Sequence, residues 1–331
     1  QRLRVEGPFF RQGCFLKIAL VQQKIHAPAA APAATPVLKP SAPKPRYMPY
    51  GDAARVLGTI AVVVGHVCDM IVFDKNTPGL MGSRDWWICN IVDSACRWAV
   101  PVYIMLSGAL LLDPERAETP EHFYKKRLSR LGVPILFWST FFMLFGVYYT
   151  GWITPDQAWR DLAQGKPYAH LHFIFRIAGL YAFTPMLRVF LKHTSRRLLV
   201  TTVCILLSLS MLDSIVNAWS GSELSAFVRF GPFMGYFLLG YLLRDRRVSK
   251  RTLLGCWAMA MACVLTLAGG TGLLIEVFGY RPSPSPSVML FDFVSPVRVV
   301  FAVCAWLIVV NTFDEEWSRS KLSKFVTRWL A

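Results

Sequence analysis

Eight times between residues 53 and 310 the chain enters a long, mainly apolar stretch. Each approaches the roughly 18 residues that a helix needs to cross a bilayer. The stretches lie near 53–73, 87–112, 131–149, 170–190, 198–216, 226–243, 253–278 and 288–310. The sixth is short and holds Arg229. Inside a bilayer the backbone must satisfy its own hydrogen bonds, and a helix does so within each stretch. The expected fold is all-α, a polytopic transmembrane helix bundle with about eight spans. Composition agrees: 54% of residues are hydrophobic and 17% charged, with a mean hydropathy of +0.40.

The net charge of +16 invites a nucleic-acid reading, which its distribution excludes. Lys and Arg are dense in every second loop. "DPERAETPEHFYKKRLSR" holds five, "RVFLKHTSRR" four, "RDRRVSKR" five and "RSKLSKFVTR" four, while the intervening loops hold at most two. By the positive-inside rule these four loops, and with them both termini, face the cytoplasm. The charge marks topology and contact with the lipid bilayer; no nucleic-acid partner is expected. The eight cysteines are scattered with no CxxC pair, so neither a metal site nor a disulfide framework is expected.

Residues 1–47 contain the Pro/Ala-rich "APAAAPAATPVLKPSAPKPR", a low-complexity extension expected to be disordered. The first methionine is Met48. The expected domain runs from 48 to 331, with Met48 as its natural start.

Charges inside spans are costly and are functional candidates by default. Arg55 and His66 lie eleven residues apart on the first span, on one face and about 16 Å apart along the axis. Asp52 neighbours Arg55, and Asp69 lies one turn past His66. Spacing alone leaves two readings open: chemistry, or an arginine snorkelling to phosphates and a histidine bonding between helices. Asp93 and Arg97 form an (i, i+4) pair suited to mutual neutralisation. Pro101 and Ser107-Gly108 permit a kink and a close helix approach, which gives Ser107 a structural role rather than that of a nucleophile. Arg127 and Arg130, one turn apart at the mouth of the third span, suit phosphate or simply set topology. His170, His172 and Arg176 gather at the outer end of the fourth span. Arg298, deep in the last span, needs a partner that the sequence does not reveal.

Four segments together resemble the acyltransferase-3 family of integral-membrane acyltransferases. Arg55 to His66 resembles its Arg-x10-His motif, with Asp52 matching the preceding acid. "RLSR" at 127–130 is similar to its Arg-x-x-Arg motif. "DSACRWAVPVYIMLSGALL" resembles its second helix, and "HLHFIFRIAGLYAFTPML" its His-Leu-Trp-Phe segment, which carries His170 across. The subgroup it most resembles is the O-acetyltransferase of enterobacterial common antigen. Two departures stand out: His172 replaces the family Trp, and ten spans are usual, so the domain is expected to be truncated at its C-terminus.

The resemblance implies a multi-pass enzyme of the bacterial cytoplasmic (inner) membrane. It would move an acyl group, by default acetyl, from cytoplasmic acyl-CoA to a hydroxyl of a cell-surface or lipid-linked saccharide. Arg55, Arg127 and Arg130 would hold the phosphates of acyl-CoA, a donor substrate rather than a tightly bound cofactor. His66 would be the general base with Asp69 orienting it, and His170 and Arg176 would meet the glycan acceptor. Two rivals remain on the sequence: a transporter or flippase using the same buried charges, and an inactive truncated acyltransferase.

Overall fold

The computed structural model describes residues 48–74, 77–116, 118–151, 153–163, 171–220, 231–280 and 285–313. The extension before Met48 and the segment after Phe313 lie outside them. The described residues form helices and connecting turns without strands.

Helix α1 spans Pro49–Val72. Helices α2 (Arg84–Cys96) and α3 (Ala99–Leu111) make one span with a break at Arg97-Trp98. The break has a local cause. Pro101 has no N–H to give to the carbonyl four residues back, so the oxygen of Arg97 is released from the helical ladder. Helix α4 (Pro120–Arg127) passes through a π-helical turn, Leu128–Gly132, into α5 (Val133–Leu144), and a second π-helical stretch, Phe145–Thr150, ends that span. The remaining helices are α6 (Pro155–Ala163), α7 (His172–His193), α8 (Arg196–Ser220), α9 (Gly231–Leu243), α10 (Lys250–Phe278) and α11 (Pro296–Thr312). A 3-10 turn, Pro286–Phe291, precedes α11.

Seven helices among the described residues are long and apolar enough to cross a membrane. The sixth expected stretch holds the shorter apolar helix Gly231–Leu243, and Arg229 lies outside the described residues.

Helices α3 and α9 form the tightest seam. A Cβ on Gly108 would overlap the carbonyl of Phe237, and one on Gly240 the carbonyl of Met105. Two backbones meet where neither has a side chain, the usual way that helices associate in a bilayer. The close approach expected at Ser107-Gly108 is therefore made by Gly108, with Ser107 half-buried beside it. Around this seam Ile104, Met105, Tyr236, Phe237 and Trp306 are fully buried. The third span instead turns Phe137, Trp138, Phe141 and Tyr149 outward. Phe137, Phe141, Phe145 and Tyr149 stack at four-residue intervals along it, with centroids 6.4, 6.0 and 4.9 Å apart. An apolar exterior of this kind suits lipid as the solvent.

Candidate active site

Helix α1 carries glycine every seven residues, at 51, 58 and 65, and this stripe receives α2 and α3. A Cβ on Gly58 would stand 2.9 Å from the ring of Tyr103, and one on Gly65 3.4 Å from Asp93 Oδ1. The Asp93–Arg97 pair thus packs against α1 at Gly65, the residue before His66 and one turn before Asp69.

The result is a chain of charges across two helices. The Nδ1 atom of His66 lies 3.5 Å from Asp69 Oδ2, an ion-pair distance longer than a formed hydrogen bond. Asp69 Oδ1 is paired with Arg97 Nη2. Arg97 also donates from Nε to Asp93 Oδ2 at 2.9 Å and pairs with it through Nη2. The (i, i+4) pair expected at 93 and 97 thus forms, and it extends to Asp69. The Asp93 side chain is only 2% exposed, Arg97 14%, Asp69 27% and His66 55%. Exposure rises steadily from the anchored end to the imidazole. His66 stands in the last third of α1, which runs from Pro49 to Val72.

Arg298 supports this chain from behind. Its carbonyl partners are Phe291, 2.7 Å from Nη1, and Arg97, 2.8 Å from Nη2. The second is the oxygen that Pro101 released. Arg298 stands in the first turn of α11, where Ser295 Oγ accepts its backbone N–H; because that span begins at Pro286 and ends at Thr312, the residue still lies near mid-span, as its sequence position suggested. The aromatic rings complete the shell. Arg97 lies over Phe291, 4.3 Å from its centroid, while Arg298 and Arg176 lie over Phe293 at 4.5 and 5.0 Å. Arg176, expected at the acceptor, therefore shares a ring with Arg298. Tyr280, just past α10, has its phenol pKa raised by burial and then by the negative charge of Asp69.

These groups surround a pocket of about 60 Å³, lined among others by Gly65, His66, Asp69, Arg97, Phe293 and Arg298. It has room for about two waters. Anything larger must approach His66 from its exposed side.

The arginines expected at a phosphate site make different contacts. Arg55 donates to Asp52 at 2.6 Å, and Tyr103 donates to the carbonyl of Arg55 at 2.6 Å. Arg127 is half-buried over Phe123 and Tyr181, at 5.3 and 5.5 Å, while Arg130 is exposed. The turn from 128 to 132 is π-helical, so the α-helical spacing that would put these two arginines on one face does not apply. His170 and the side chain of His172 lie outside the described residues.

Several residues here were missed from sequence. Asn90 donates to the carbonyl of Ala268 at 2.8 Å, tying α2 to α10. Arg188 donates to the carbonyl of Leu111 at 2.7 Å and pairs with Glu118 at 3.3 Å, close to Phe123. The seven-residue glycine stripe was the available signal for Tyr103; nothing in the sequence links Arg188 to Glu118. Among the described residues no group of three or more His, Cys, Asp or Glu is placed to hold a metal.

Fold and site together define an integral-membrane helix bundle with a histidine–carboxylate pair held at a pocket by buried arginines. A family model described as an acyltransferase domain matches residues 48–331, and the chain belongs to this acyltransferase-3 family. It is a membrane acyltransferase. No curated protein and no solved structure matches the chain, so the likeness to one subgroup rests on its motifs.

Proposed function

We propose that the protein is an O-acyltransferase, by default an O-acetyltransferase, that uses acyl-CoA and a saccharide or lipid-linked glycan acceptor. The observation that carries this reading is the half-exposed imidazole of His66 with Nδ1 turned toward Asp69. When Asp69 closes on Nδ1 to hydrogen-bond distance, it fixes the tautomer and leaves Nε2 as the proton acceptor. In the proposed step the acceptor hydroxyl attacks the thioester carbonyl and its proton passes to Nε2. The C–S bond then breaks, and the departing CoA thiolate takes up that proton. Arg97 and Asp93 position Asp69 and do not themselves meet substrate. Arg55, Arg127 and Arg130 hold the CoA phosphates, and His170 and Arg176 serve the acceptor.

The test is transfer of label from [14C]acetyl-CoA to envelope glycans in membranes carrying the chain or its His66→Ala variant. Label that depends on the chain and disappears with His66→Ala supports the assignment. Equal label from both removes His66 from the chemistry. Solute uptake without release of CoA would favour the transporter reading instead.

A further inference from the structure

The basic loop between α9 and α10 carries more structure than topology requires. Any Lys or Arg near a span end satisfies the positive-inside rule, whatever its conformation. Here the loop is pinned at Arg244, Arg246, Arg247 and Val248 to distant parts of the chain. Tyr50 donates its hydroxyl to the carbonyl of Arg244 at 3.0 Å. Asn311 accepts from the N–H of Val248 at 2.9 Å and donates to the carbonyl of Arg246 at 3.2 Å. Arg247 Nη1 donates to the carbonyl of Val310 at 2.6 Å. The start of α1 and the end of α11 thus hold one turn of backbone in place.

That turn walls a cavity of about 440 Å³, whose lining includes Arg196, Tyr241, Arg244, Asp245, Arg246 and Arg247. Arg244 lies over the ring of Tyr241 at 4.5 Å and is 3.3 Å from Asp245 and 3.8 Å from Asp113. The lining thus holds four arginines and one carboxylate, Asp245, while Asp113 and Glu115 act on Arg244 and Tyr241 from nearby. A concave, prearranged excess of guanidinium over carboxylate suits a phosphate, whose oxygens accept paired N–H donors. Pinning lowers the ordering cost of binding.

We propose that this cavity is a phosphate-binding site, distinct from the pocket at His66 and from Arg55, Arg127 and Arg130, to which the acyl-transfer reading gives the CoA phosphates. The phosphate belongs either to a soluble nucleotide-like ligand or to an anionic lipid headgroup. The purified full chain in neutral detergent would be titrated with coenzyme A and, separately, with water-soluble dihexanoyl phosphatidylglycerol. The variants are Arg196→Gln with Arg246→Gln, two exposed residues, and Arg246→Glu alone should the double variant fold poorly. Loss of at least about tenfold in affinity for either probe is expected, the scale of one or two charged hydrogen bonds. A loss for coenzyme A alone assigns the cavity to a soluble phosphate; a loss for the lipid alone assigns it to a headgroup. Unchanged affinity for both, or no binding of either probe by the parent chain, overturns the site. An equal loss in Lys192→Gln with Lys250→Gln, which removes the same charge outside the cavity, overturns it too.

Discussion

Replacing Arg97 by methionine should be among the most damaging single changes in this protein. The guanidinium serves two carboxylates at once, and the two are not equivalent. The Asp93 side chain is 2% exposed and the Asp69 side chain 27%. Without Arg97, Asp93 is left as a buried charge with neither its ion pair nor water, which costs about 3–5 kcal/mol when one partner of a buried pair is removed. Asp69 can turn toward solvent and His66, so it adds little. At about 2–4 °C per kcal/mol, the unfolding midpoint should fall by on the order of 10 °C. Thermal unfolding in neutral detergent, followed by tryptophan fluorescence, measures this. The decisive comparison is Arg97→Met with Asp93→Val, which removes both charges and comes close to the original volume. An apolar replacement of a whole buried pair is often neutral or better, so the double variant should regain most of the lost stability. If it is as unstable as Arg97→Met alone, the cost comes from packing or from the lost Asp69 contact, and the argument from uncompensated charge is wrong.

Gly108→Val should prevent folding, since its Cβ would meet the carbonyl of Phe237, whereas Gly255→Ala, with nothing within 4 Å of its Cβ, should be tolerated. A monodisperse elution profile for Gly108→Val would refute the α3–α9 seam. Arg298→Lys keeps the charge but loses the fork that spans the carbonyls of Phe291 and Arg97. Its expected cost is about 1–3 kcal/mol in the same unfolding measurement, from one buried carbonyl left without a donor.

What sequence alone determined here is the set of properties that lie along one helix or one loop. Apolar length reveals a span because the bilayer acts on each segment separately. Arg55, His66 and Asp69 could be placed on a common helix because three of them share α1, and the (i, i+4) spacing paired Asp93 with Arg97. Pro101 marked the break in the second span through a missing N–H. Tertiary structure alone decided which groups meet across helices. Arg97 reaches Asp69, 28 residues away, across the packed faces of α1 and α2. The proline frees a carbonyl, but nothing local names Arg298, 201 residues distant, as the donor that fills it. The turn after Arg127 is π-helical, so the rotation from Arg127 to Arg130 is not the one that α-helical spacing gives. Local chemistry creates the unsatisfied charges and carbonyls; packing selects their partners, since in a medium without water each polar group must find one within the protein.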